Sequence, residues 1–176
     1  MVFKSFHELF PKIADIETRF ITLLEAKDNK GVPAGQFAFL PAYCADKKCD
    51  CRRAIITVQQ VDPDFPPFHA ASITFGWEDF KFYRAWSNHM PDDMIKNFIK
   101  PHLDQLQIQS PHAPFFFNIF EESFLPDEDY MLRIQRHYAY VKFKSGMKLP
   151  PELRSLVDIK GACPCLLYTS PSPRDS

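Results

Sequence analysis

Apolar positions recur with two different periods along this chain. Between residues 17 and 77 they mostly alternate with polar ones, and beyond residue 92 they return every third or fourth position. The first period predicts strands. Residues 52–61 (RRAIITVQQV) form the clearest one, because Ile55, Ile56, Thr57 and Val58 are nearly consecutive β formers. Residues 36–43 (QFAFLPAY) alternate through Phe37 and Phe39 to Pro41, and residues 69–77 (HAASITFGW) predict a further strand. Residues 17–25 fit two templates. Ile13, Ile16, Phe20 and Leu23 have helical spacing, whereas Thr18, Phe20, Thr22 and Leu24 alternate. The β-branched content decides for a strand. Residues 27–35 read as a loop, and residues 62–67 as a turn rich in proline and aspartate.

The second period predicts helices. Asp92 and Asp93 open one that carries Met94, Ile95, Phe98 and Ile99 and stops at Pro101. Ser110-Pro111 reads as the cap and first turn of the next, in which Phe116, Phe117, Phe120 and Phe124 continue to Pro126. Asp127, Glu128 and Asp129 put negative charge at the start of a third. Its stripe is Met131, Ile134, Tyr138 and Val141, and Lys142, Lys144 and Gly146 mark its end. At the N-terminus, Ser5-Phe6-His7-Glu8 fits a capping box on a short helix limited by Pro11. The expected fold is α+β: an antiparallel sheet of three to four strands with helices packed on one face. Residues 1–148 form this body, and Leu149-Pro150-Pro151 opens a linker.

Composition narrows the class. A chain of 176 residues with 45% hydrophobic content can bury a real core. The formal charge of -1 gives no global attraction to nucleic acid or an anionic membrane. No apolar run approaches the roughly 20 residues of a membrane span. The start, MVFKSFHELF, is too mixed for a secretory segment. A cytoplasmic, reducing setting follows as the expectation.

That setting gives meaning to the cysteines. Cys44, Cys49 and Cys51 fall within eight residues, separated by Asp and Lys rather than by core residues. Three thiols between two predicted strands suit a soft metal ion, zinc above all, held at a knuckle-like turn. Reduced structural cysteines and a redox role are the alternatives. The usual Cys-x2-Cys spacing is absent, and a fourth ligand must come from elsewhere: His69, His137, Asp46, Asp50 or water. His89 and His102 read as surface or satisfied core residues. Lys47, Lys48, Arg52 and Arg53 surround the cysteines, where they steady thiolates more readily than they form a phosphate-binding patch. The string GWEDFKFYRAW, with Trp77, Phe80, Phe82, Tyr83 and Trp86, suits core packing better than base stacking. No Gly-rich phosphate loop, Gly-x-Ser-x-Gly or His-Glu-x2-His is present. Glu121 and Glu122 are adjacent and make a poor acid–base pair. A non-enzymatic metal-binding protein is therefore the leading expectation. A metal-dependent hydrolase with an open fourth position comes second, and a nucleic-acid-binding adaptor third.

Gly161-Ala162-Cys163-Pro164-Cys165 resembles the opening of the SEC-C motif, the zinc-binding tail found on the SecA translocation motor and on many bacterial proteins. That motif continues with Gly-Ser-Gly and a second ligand pair. Here the chain from Cys165 onward reads CLLYTSPSPRDS instead, which looks like the translation of a sequencing-library adapter. Residues 149–165 are thus read as a linker and a truncated motif, and residues 166–176 as an adapter-derived, disordered tail. Two ligands of four do not hold zinc securely, so Cys163 and Cys165 are remnants of a second site. The strings YCADKKCDCRR, ITFGWEDFKFYRAW, LDQLQIQSPHAP and RIQRHYAYVKF are similar to the body of bacterial proteins that carry this tail. The resemblance implies a bacterial, cytosolic metal-binding protein with an α+β body, and a protein partner reached through the tail. It supplies no activity.

Overall fold

The alternation at the centre of the sequence becomes the centre of a sheet. The computed structural model describes residues 2–25, 31–62 and 67–157. The strands are β1 (Phe3–Ser5), β2 (Arg19–Leu23), β3 (Gly35–Cys44), β4 (Arg53–Gln60), β5 (Phe68–Gly76) and β6 (His102–Leu103). The helices are α1 (Phe6–Leu9), α2 (Pro11–Glu17), α3 (Phe80–Trp86), α4 (Asp92–Ile99), α5 (Ala113–Ile119), α6 (Glu128–Lys144) and α7 (Pro151–Val157). The strand order is β1-β3-β4-β5-β6, with β2 also on β3, and every pairing is antiparallel. The α+β class is as expected, but the sheet has six strands rather than three or four. The additions, β1 and β6, have three and two residues and leave no periodic signal. β1 pairs with residues 42–44 of β3 and β2 with residues 35–39. Pro41, which cannot donate to a ladder, occupies the gap between them.

One sheet face forms the core. Phe39, Val58 and Ala71 share one register level, and Tyr43, Ala54 and Phe75 another. Phe116, Phe120 and Phe124 descend on this face from α5 and the turn after it. Their rings meet Phe37 at 4.7 Å, Phe75 at 5.2 Å and Phe39 at 4.5 Å. Each such burial is worth roughly 1.5–3 kcal/mol. Residues 120–124 form a π-helical turn, closed by Leu125 N–H donating to the Phe120 carbonyl at 2.9 Å. The wide turn falls where Pro126 removes the next helical donor.

Several local expectations shift for identifiable reasons. Ser5 sits at the α1 N-cap without a side-chain cap bond. Ser110 does not start α5 directly, because its hydroxyl donates to the Ala70 carbonyl at 2.6 Å and ties the segment to β5. The stretch read as a linker carries α7, with Pro151 at a first-turn position where its missing N–H costs nothing and Leu149 and Leu153 buried. The loop at 27–30, the turn at 63–66 and everything from residue 158 onward lie outside the described residues.

α3 and α4 close the far end of β5. Tyr83 can approach there because residue 76 is glycine: a Cβ would stand 2.1 Å from the Tyr83 hydroxyl. On the same sheet face, beside Gly76 in register, the Arg53 guanidinium lies 4.0 Å from the centre of the Phe98 ring of α4.

Glu17, at the end of α2, ties the N-terminal segment to α6. It accepts from Arg136 at 2.6 Å and lies 2.7 Å from His137 Nε2. Burial alone would raise its carboxyl, but the hydrogen bonds from His137 and Arg136 pull it down to about 2 from an ordinary 4.5. Burial pushes the His137 imidazole below its ordinary 6.5, against the pull of Glu17. The pair is therefore a carboxylate facing a neutral imidazole. The signs differ in window. The contribution of His137 is lost as pH falls through 6.5, when the unfolded chain takes its proton first. The contribution of Glu17 is complete above 4.5 and is lost as pH falls toward 2. Glu17→Gln is predicted to cost about 1.5–3 kcal/mol at neutral pH. It should also flatten the pH dependence of urea unfolding in the lower window. An unchanged profile there would show that the carboxylate does not hold this junction.

Candidate metal centre

Cys44 is the last residue of β3, and Cys49 and Cys51 lie in the connection to β4. The three Sγ atoms all lie within 4.8 Å of one another, so the cluster could hold a metal ion. Cys44 and Cys51 are fully buried, and Cys49 is half-buried. The sequence brings them together by a tight turn. Asp46 Oδ1 accepts from Lys48 N–H at 2.9 Å, and the Asp46 carbonyl accepts from Cys49 N–H at 3.1 Å.

The turn is held from α6. Lys142 is fully buried, and its Nζ donates to the Asp46 carbonyl at 3.0 Å and to the Cys49 carbonyl at 2.5 Å. A buried ammonium is expensive unless negative charge answers it. Three thiolates and a divalent cation sum to one negative charge, which Lys142 would neutralise. Burial raises the Cys49 and Cys51 thiols, neighbouring thiols raise them further, and Lys142 opposes both. The Arg53 N–H also donates toward Cys51, a bond that favours its thiolate. Thiols held up in this way release protons when a cation binds, so metal binding and deprotonation are coupled.

Arg52 fixes the other end of the turn. Its φ is +44°, a conformation costly for a side chain with a Cβ. The surroundings enforce it. Its N–H donates to the Tyr138 hydroxyl at 3.2 Å, and its carbonyl accepts from the Tyr83 hydroxyl at 2.8 Å. Its guanidinium meets Asp50 at 3.1 Å, Glu78 at 2.9 Å and Glu152 at 2.6 Å, and covers the Phe82 ring. Asp50 also accepts from the Tyr138 hydroxyl at 2.8 Å. The turn is thus tied to α3, α6 and α7.

The candidate fourth ligands have other occupations. Asp46 caps the turn, and Asp50 serves Arg52 and Tyr138. His69 Nε2 lies 3.3 Å from the Ser72 hydroxyl, and His137 faces Glu17. Among the described residues no histidine or acid joins the three cysteines. Cys163 and Cys165 lie outside the described residues. His102 Nδ1 lies 3.0 Å from the Lys100 carbonyl. Of the nearby basic residues Lys47 and Lys48 are exposed while Arg52 is buried, so the four do not share one surface. The aromatic string packs inward: Tyr83 is fully buried, and Trp77 meets Tyr138 at 5.2 Å. Sequence spacing missed Lys142, Tyr138 and the ion-pair role of Arg52. Nothing local marks them, since Lys142 reaches Cys49 across 93 residues.

No family model, curated protein or solved structure matches the chain. Among the described residues, no helix is long and apolar enough to cross a membrane.

Lys142→Met keeps the stem and removes the charge. The Cys49 carbonyl would lose the ammonium donor, at about 1–3 kcal/mol, while the Asp46 carbonyl keeps the Cys49 N–H. Metal affinity should fall roughly 10–100-fold, as for the loss of other outer-shell partners. Urea unfolding and competitive titration with a zinc chelator read the two effects. Wild-type affinity in this variant would show that the ammonium does not serve the thiolates.

Proposed function

We propose that this chain is a zinc-binding protein in which Cys44, Cys49 and Cys51 ligate one ion that fastens the β3–β4 connection. The observation that carries this reading is the convergence of three Sγ atoms within 4.8 Å at a turn backed by a buried ammonium. Thiolate ligands favour zinc over the hard cations, and a reducing cytoplasm keeps them available. A structural rather than catalytic role is supported by the surroundings. Two of the three thiols are fully buried, and Asp50 is bound to Arg52 and Tyr138 instead of being free to act as a base. The fourth position falls to water or to a group outside the described residues. The SEC-C-like string around Cys163 and Cys165 is read as the remnant of a second zinc module, whose complete form would engage a protein partner.

A metal-dependent hydrolase is the second reading, favoured by the count of three ligands rather than four among the described residues. Elemental analysis of purified protein should give about one zinc per chain at the cysteine turn. Cys49→Ser should lower that content and destabilise the fold by several kcal/mol, on the order expected for a lost metal. A chelator should lower the wild-type melting temperature and leave the Cys49→Ser value nearly unchanged. A wild-type melting temperature that ignores the chelator would remove the structural role.

A further inference from the structure

The three sulfurs of the β3–β4 connection differ in access. Cys44 and Cys51 are fully buried, whereas Cys49 is half-buried and is the one that an oxidant from solvent can meet. Cys49 is also the middle member, with its thiol hydrogen-bonded to both Cys44 and Cys51. All three are free cysteines, and their Sγ atoms lie within 4.8 Å of one another. The thiol that meets solvent therefore has a further thiol in reach on either side. An accessible thiol beside a resolving one is the arrangement in which oxidation ends in a disulfide rather than in a sulfinic acid.

The backbone decides between the two neighbours. A Cys49–Cys51 bridge would enclose only Asp50, in a small ring that must hold two planar trans peptides. That stretch is also pinned. Asp50 is bound to Arg52 and Tyr138, and the left-handed backbone of Arg52 is held by Tyr138 and Tyr83. Cys44 and Cys49 are instead joined by residues 45–48, which already reverse the chain, with Cys49 N–H donating to the Asp46 carbonyl at 3.1 Å. A bridge between these two follows the existing turn.

We propose that Cys49 is a site of oxidative modification by hydrogen peroxide, resolved by Cys44, and that the resulting disulfide releases the turn from its metal. The release rests on the zinc-bound reading above; the disulfide does not. The Cys49 thiolate attacks one peroxide oxygen, the O–O bond breaks, and hydroxide leaves. The Cys44 thiolate then attacks the sulfenic sulfur, the S–O bond breaks, and a second hydroxide leaves. Both hydroxides take up protons from solvent. The two sulfurs together lose two electrons, and the peroxide is reduced to two waters. Cys51 is then the one thiol left in the turn, too few to hold a zinc ion. The Lys142 ammonium faces a neutral disulfide instead of thiolates, and only its bonds to the Asp46 and Cys49 carbonyls still hold the turn to α6.

The test uses the full chain carrying Cys163→Ser and Cys165→Ser, loaded with zinc and treated with hydrogen peroxide. Free thiols are alkylated, the unreduced chain is mapped by mass spectrometry, and released zinc is followed with a colorimetric chelator. Expected are a Cys44–Cys49 disulfide with Cys51 alone alkylated, about one zinc released per disulfide, and recovery of all three thiols with dithiothreitol. Cys51→Ser should still form the same bridge, and Cys49→Ser should form none. The bridge is mapped in the intact turn, so the outcome does not depend on a variant that folds poorly. A stop at sulfinic acid on Cys49, or a bridge that omits Cys44 or Cys49, would overturn the assignment. Three intact thiols with zinc retained would overturn it too, while leaving the zinc reading in place. A Cys44–Cys49 disulfide in a chain that takes up no zinc would support the modification and remove the zinc reading, and the release with it.

Discussion

The contact between the Lys142 ammonium and the cysteine turn is the constraint on which this structure depends. It joins the long helix to the sheet at the point where β3 must reverse into β4. A fully buried lysine with only two neutral carbonyls and the Tyr138 ring for partners would be a poor use of a charge. Set beside three thiols that gain negative charge when a cation binds, the same lysine becomes a counter-ion. The turn, the helix and the ion would then be stable together. Each alone is left uncompensated: crowded thiols, an unanswered ammonium, or the Cys49 carbonyl without its lysine donor.

Arg52 extends this logic to the rest of the molecule. Its left-handed backbone is costly in isolation, and it persists because Tyr138 and Tyr83 hold its N–H and carbonyl. Its side chain gathers carboxylates from the turn itself, from the segment before α3 and from α7. The Asp50 pair is nearly sheltered, whereas Glu152 is more than half exposed and so adds less. The network positions the turn more than it stabilises the fold. It also commits Asp50 to Arg52 and Tyr138 rather than to the sulfurs.

What could be read from the sequence followed the range of the interaction. The strands that became β2 to β5 were legible because burial on one face imposes alternation within each segment. The cysteine cluster was legible because its residues are close in sequence and chemically conspicuous. β1 and β6 were not, since two or three residues carry no period. α7 was hidden by prolines that read as a break, although Pro151 sits where a helix tolerates it. The π-helical turn was hidden because Phe116, Phe120 and Phe124 keep a spacing that an ordinary helix also satisfies. Lys142 was read as the cationic end of an amphipathic helix, a sound local argument that long-range packing overrode. The fourth-ligand candidates, His137 among them, were proposed on residue type alone. Their actual partners come from elements distant in sequence, such as Glu17, 120 residues from His137.

The same helix presents two different chemistries on adjacent stripes. Tyr138 and Lys142 turn toward the cysteine turn, and Tyr130, Arg133 and His137 line a polar pocket beside Glu17. Among the described residues the two stripes share no ion pair, but they share a helix backbone that packs across the sheet core. A shift of α6 that disturbed the ammonium would also move His137 against Phe6. Fastening the cysteine turn therefore fixes one wall of the polar pocket, even though no thiol reaches it. The cysteine turn can influence the Glu17 junction in this way, by setting the position of a helix whose other stripe holds that junction.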